Sequence, residues 1–141
     1  MLTLVMALSD AEIVELLTVA TTDVFWVSES EAPFEVLHWS ELSRDTFDAA
    51  VLRQQVAVAA DVAIGTCEAA KFFQAAIEPQ DWHGDIEQQA IEQYQHIIFL
   101  LQQHLTQVQV YCVGECEMDV YIVGKTPADN WVALKTMSVE T

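Results

Sequence analysis

The stretch from Asp85 to Val123 reads DIEQQAIEQYQHIIFLLQQHLTQVQVYCVGECEMDVYIV, and the change of period inside it decides the fold. Ile86, Ala90, Ile91, Tyr94, Ile97, Ile98, Leu101 and Leu105 fall on one continuous stripe at helical spacing, which predicts a long amphipathic helix over 85–105. From Gln107 the period drops to two. Val108, Val110 and Cys112 oppose Tyr111 and Val113, and beyond Gly114 the pattern resumes with Val120 and Ile122 opposing Tyr121 and Val123. Strands are expected at Gln107 to Val113, Met118 to Gly124 and Trp131 to Val139, with turns at Gly114 and over Thr126 to Asn130. Both sets of alternating residues are apolar, so a cover is needed on each face. The expected architecture is an α+β fold, a single-domain α/β/α sandwich with a mostly antiparallel central sheet.

Toward the N-terminus the signals are shorter. Ser9-Asp10-Ala11-Glu12 is a capping box, and Ile13, Leu16, Leu17 and Ala20 follow at helical spacing, so a helix is expected from Asp10 to Ala20. Val24 to Val27 reads as a strand, with Phe34 to Trp39 as its hairpin partner across Ser28 to Pro33. Thr46 to Gln55 reads as helix. Val56 to Ile64 is a short apolar run that fits a strand or a buried helix equally, and Thr66 to Ile77 returns to a helical pattern ending before Pro79. Asp81, Asp85 and Glu87 complement the positive end of the long helix that follows. No repeat, low-complexity tract or linker interrupts the chain, so residues 1–141 are expected to form one domain, with residues 1–8 as an N-terminal extension. That extension reads as an extra strand or as an early start, since Met6 would also serve.

Composition narrows the function. Twenty-two Asp and Glu against five Lys and Arg give a net charge of −17, on a chain that is 52% hydrophobic. This is the signature of a folded polyanion rather than a disordered acidic tail. Such a surface repels DNA, RNA and anionic membranes and is steered toward strongly basic proteins, whose working surfaces often handle nucleic acid. Imitation of a nucleic acid is one reading; acidity that merely maintains solubility is the other. No stretch reaches the ~18 apolar residues of a membrane span, and Met1 to Leu8 lacks the positive flank and cleavage site of a signal peptide. Cys67, Cys112 and Cys116 are odd in number and without framework spacing, which suits a reducing cytoplasm and predicts buried, unreactive thiols.

Five separated blocks carry a resemblance. Ser28-Glu29-Ser30-Glu31-Ala32-Pro33-Phe34-Glu35-Val36, Pro79-Gln80-Asp81-Trp82, Val110-Tyr111 through Gly114-Glu115 to Asp119-Val120-Tyr121, Gly124-Lys125-Thr126-Pro127-Ala128 and Val139-Glu140-Thr141 occur in the order and near the spacings of the bacterial nuclease A inhibitor family. The chain resembles that family over Ser28 to Trp39 and Phe72 to Thr141; Ser40 to Ala70 shows no match, and His83-Gly84 departs locally. The resemblance implies a cytoplasmic inhibitor of a sugar-nonspecific, magnesium-dependent DNA/RNA nuclease of the ββα-metal class, bound one to one in the active-site cleft. It implies no enzymatic activity and no cofactor of its own. The positions similar to that family's contact residues are Glu29, Gln80, Asp81, Trp82 and Thr141.

Side-chain chemistry agrees with these roles. Mg²⁺ takes oxygen ligands and keeps exchangeable water, so an inhibitor that approaches it must supply oxygens, and Thr141 has a hydroxyl and an α-carboxylate to offer. Glu29 can engage an Arg or Lys that would otherwise hold phosphate. Trp82, set among Gln80 and Asp81, suits an interface anchor better than a core position, whereas Glu31 reads as hairpin-tip solvation. Two other functions remain. Asp81, His83 and Asp85 could present two carboxylates and an imidazole to a metal, as a hydrolase requires, although dipole complementation already explains acids there and no further ligand motif accompanies them. A protein of the same fold with a different basic partner is the third reading.

Overall fold

The computed structural model describes residues 8–27, 31–39, 47–77 and 85–139. Helix α1 spans Asp10–Thr21, and its capping box forms as read: Glu12 N–H donates to Ser9 Oγ at 3.2 Å while Ser9 N–H donates to Glu12 Oε1 at 3.1 Å. A cap is worth about 1 kcal/mol, whereas fully burying a Leu or Ile side chain gives about 1.5–3 kcal/mol. Ile13 and Leu17 of α1 are both buried, so packing outweighs capping in holding this helix to the core.

Three strands after the long helix α4 (Asp85–His104) dominate the molecule: β5 (Thr106–Gly114), β6 (Glu117–Lys125) and β7 (Trp131–Val139). Strand β3 (Glu35–Trp39) and strand β4 (Ile64–Cys67) flank them in a five-stranded sheet of order β3-β7-β6-β5-β4, antiparallel at every pair. A bulge between Thr106 and Gln109, with Gln107 at φ 53°, opens β5 where it leaves α4.

Two hydrophobic clusters take up the two apolar sets. Val110, Val120, Ile122, Val132 and Leu134 pack with Ile13 and Leu17 of α1, Phe73 of α3 (Ala69–Ile77), and Tyr94, Ile97 and Leu101 of α4. Tyr111, Val113, Tyr121, Val123, Trp131 and Ala133 pack with Leu52 of α2 (Ala49–Gln55), with Trp39 and Phe47 against them.

Several expectations are corrected. The partner of β1 (Phe25–Val27) is β2 (Glu31–Pro33), with Trp26 opposite Ala32, and not the 34–39 segment. That segment instead joins the main sheet as β3, Trp39 opposite Trp131. Burial explains the choice: β3 has apolar residues on both sides, Val36 in one cluster and Leu37 and Trp39 in the other, whereas β1 buries only Trp26. Thr66 and Cys67 lie in β4 rather than at the start of a helix, opposite Tyr111 and Val110. Val56 to Ala63 is neither strand nor helix. Its opening is a Schellman ending of α2, in which Ala57 takes φ 54° and Val58 N–H donates to the Arg53 carbonyl at 2.9 Å. The thiols divide, with Cys67 and Cys112 half-buried but Cys116 exposed near the β5–β6 turn.

Gly124 lies in close contact with α4's exit. A Cβ there would lie 2.8 Å from Leu105 Cβ and 3.2 Å from Val108 Cγ2, closer than side chains tolerate. Gly124→Ala is therefore expected to destabilise the fold by about 1–3 kcal/mol, the usual cost of overpacking. Chemical denaturation of the two proteins measures it, and an unchanged midpoint would mean that Leu105 moves freely.

Candidate functional site

The expected contact residues Glu29, Gln80, Asp81, Trp82 and Thr141 lie outside the described residues, as does His83 of the hydrolase reading. The elements that lead into them are described. Glu29 falls between β1 and β2, Gln80 to Trp82 between α3 and α4, and Thr141 follows β7.

These elements meet around Trp26. Its ring stacks on Phe72 of α3 with centroids 4.4 Å apart, meets Phe73 edge-on at 5.6 Å and lies 5.7 Å from Tyr94 of α4. Its indole N–H donates to Ser138 Oγ near the end of β7 at 3.4 Å. The Thr136 hydroxyl donates to the Ala32 carbonyl of β2 at 3.3 Å, and the Tyr94 hydroxyl donates to the Phe25 carbonyl of β1. The Trp26 cluster thus ties β1 to α3, to the middle of α4 and to the end of β7, and the Thr136 bond ties β2 to β7. Sequence reading took Trp26 as a strand residue and Tyr94 as one member of a helical stripe. The pairing of Phe25-Trp26 with Phe72-Phe73 was the available signal, but aromatic content alone does not say which rings meet.

Beside this cluster an open cavity of about 350 Å³ separates the base of the β1–β2 hairpin from α4. Val27 and Glu31 border it on one side, and Gln89, Gln93 and Tyr94 on the other. Burial, reinforced by the nearby Glu31 carboxylate, pushes the Tyr94 phenol above its ordinary value against a backbone contact at Val27. The phenol therefore stays protonated, as its donation to the Phe25 carbonyl requires.

A second constellation escaped the sequence reading. Asp10 Oδ2 lies 2.7 Å from His38 Nε2 on β3 and accepts from Asn130 Nδ2 at 2.7 Å in the β6–β7 loop. Burial pushes the Asp10 carboxyl up, but the contacts with His38, Thr126 and Asn130 outweigh it and hold the group below its ordinary 3.8. These residues are 28 and 120 positions away from Asp10, so no local motif announces them. The arrangement is a brace from the first turn of α1 to strand β3 and to the β6–β7 loop. Among the described residues no three His, Cys, Asp or Glu side chains gather as metal ligands would.

A family model described as nuclease A inhibitor-like protein matches residues 11–141. The chain belongs to the nuclease A inhibitor-like family. Membership implies a nuclease inhibitor, a protein that binds a nuclease and is not itself an enzyme. The matched range includes the 40–70 segment, where short blocks had shown no resemblance, and it leaves the first ten residues outside. A comparison with curated proteins finds no match. Among the described residues, no helix of this family member is long and apolar enough to cross a membrane.

The Asp10 brace has a definite pH signature. A carboxyl held below its ordinary value adds stability at pH values above that ordinary value, and the contribution is lost as pH falls through the lowered native value. Asp10→Ala should cost about 1–2 kcal/mol near neutrality. The gap between variant and parent should close in acid, below pH 3.8. Thermal unfolding of both proteins across the acid range checks it; a gap independent of pH would assign the loss to packing.

Proposed function

We propose that this family member inhibits a sugar-nonspecific, magnesium-dependent DNA/RNA endonuclease of the ββα-metal class, forming a one-to-one complex in the cytoplasm and occupying the active-site cleft. Family membership over residues 11–141 carries the reading. The net charge of −17 supports it, because a cleft built to hold phosphate draws in an acidic protein as it draws in nucleic acid. The gathering of β1, α3, α4 and β7 around Trp26 supports it further, since the segments containing Glu29, Gln80, Asp81, Trp82 and Thr141 all depart from those elements. The two clusters, with α1, α3 and α4 in one and α2 in the other, favour the α/β/α sandwich as the layering that presents them.

In this reading Thr141 brings oxygen to the enzyme's metal, Glu29 meets a cation of the phosphate site and Trp82 anchors the contact, with Gln80 and Asp81 beside it. The inhibitor supplies no metal. Plasmid and RNA degradation by several nucleases of this class should stop near equimolar inhibitor, and activity persisting at a large excess would overturn the proposal in favour of a different basic partner. Thr141→Ala should weaken inhibition, and a C-terminal tag should weaken it more, because added residues must fit a closed cleft. Inhibition constants for untagged, tagged and substituted proteins decide this; a tagged protein as tight as the untagged one would remove the metal approach.

Salt gives an independent readout. Screening acts over about 8 Å at physiological ionic strength, so association should slow markedly as salt rises while dissociation changes less. Stopped-flow association rates insensitive to salt would leave shape, and not charge, as the basis of recognition.

A further inference from the structure

Strand β1 alternates sharply. Trp26 is 8% exposed, while its neighbours Phe25 and Val27 are 43% and 60% exposed. Single exposed apolar residues are ordinary on a protein surface, as Val19 and Phe99 show, but two side by side next to a cavity form a patch that a partner can cover. Both rings and branches here stand on one strand face. Both line the 350 Å³ cavity between the hairpin and α4, and Phe25 also borders a second open cavity of about 360 Å³ toward the end of α1.

The face is held rigidly. The Phe25 carbonyl accepts from the Tyr94 hydroxyl, the Trp26 indole is bonded to Ser138, and Val27 pairs with Glu31 across the hairpin. A surface fixed in this way loses little conformational freedom when it is covered. Its border is acidic or neutral, with Asp23 and Glu31 as the charged residues of the first cavity and Gln89 and Gln93 as the amides.

We infer that the outer face of β1, Phe25 and Val27 with the groove toward α4, is an apolar centre of the nuclease contact, covered by apolar side chains of the enzyme while Asp23 and Glu31 meet cations around it. The inference rests on the proposed nuclease-inhibitor reading. Three observations select this occupant. A second copy of the chain would bring another −17 charge and its own Asp23 and Glu31 to the same border. Nucleic acid and anionic lipid are repelled for the same reason. Val27 and Glu31 enclose the 28–30 segment that holds Glu29, so the apolar face is continuous along the chain with an expected contact position. An apolar centre inside a charged border is the usual anatomy of a tight interface.

Charge and apolar contact leave different kinetic marks. Border carboxylates act mainly on association, and a desolvated apolar centre acts mainly on dissociation. The test uses the untagged full chain against a ββα-metal nuclease, comparing wild type with Phe25→Ala, Val27→Ala and Phe99→Ala, the last an exposed residue of α4 outside the groove. Phe25→Ala and Val27→Ala should each raise the dissociation rate about fivefold or more, beyond what an energetically neutral contact would give. That increase should persist at high salt, with association rates and unfolding temperatures near those of wild type, and Phe99→Ala should behave as wild type. If Phe25→Ala disturbs the hairpin, the more exposed Val27 carries the test. Wild-type inhibition with unchanged dissociation in Val27→Ala overturns the inference alone. Wild-type protein that inhibits no such nuclease overturns the functional reading and this inference together. Dimerisation at micromolar concentration that Val27→Ala abolishes would assign the face to a second copy.

Discussion

A sheet with apolar residues on both faces cannot be stable until both are covered, and the rest of this chain is arranged around that constraint. Along β6, Val120 and Ile122 turn one way and Tyr121 and Val123 the other, all of them buried. The covers are unequal. One cluster contains residues of α1, α3 and α4, whereas the other contains Leu52 of the seven-residue α2 together with large rings. Trp39 stacks on Phe47 at 5.5 Å, Phe47 lies 5.3 Å from Trp131, and the Tyr111 hydroxyl donates to the Phe47 carbonyl at 3.0 Å. Aromatic side chains bury far more surface per residue than aliphatic ones, so a thin layer of rings can replace a long helix. Burial also raises the Tyr111 and Tyr121 phenols, keeping them neutral in that layer.

The same core allows the surface to be so acidic. Repulsion among carboxylates opposes compaction, and few cations are present to relieve it. Three of the four described are engaged locally: Lys125 pairs with Asp129 at 3.4 Å, Lys135 lies 5.8 Å from the Tyr121 ring centre, and Arg53 donates to the Ala59 carbonyl. Exposed ion pairs contribute about 0–1 kcal/mol, so they do not offset the repulsion; burial does. The acidity is then available for long-range attraction, and the fold tolerates it because its stability lies in the sheet and its covers.

Most of this was legible where period and burial coincide. The stripe from Ala90 to Leu105 and the alternation from Val108 to Val123 required only that apolar side chains leave water, and the element boundaries shift by no more than one residue. Legibility failed where partners are chosen over long separations. Phe34 to Trp39 was correctly read as extended, but nothing within it said that β7, about a hundred residues later, would pair with it in place of β1. Cys67 was assigned to a helix because its strand role depends on Val110 opposite. Asp10 was read as part of a capping sequence, and its brace to His38 and Asn130 exists only after the sheet has formed. The five expected contact positions come from family resemblance alone, since an acid in a hairpin or a Trp before a helix has no distinctive local chemistry.

The proposed contact face and the fold are joined through β1. A two-stranded ribbon such as β1–β2 is marginal by itself in water, so it must lean on something else. It leans on Trp26, whose contacts with Phe72, Phe73, Tyr94 and Ser138 tie it to the helical layer and to the last strand. Those contacts belong to the same cluster that covers the sheet. The face that leaves Phe25 and Val27 in water is therefore fixed by side chains whose burial stabilises the whole protein. A binding surface built this way needs no ordering step at encounter: charge governs how often a basic partner arrives, and the fixed apolar face governs how long it stays.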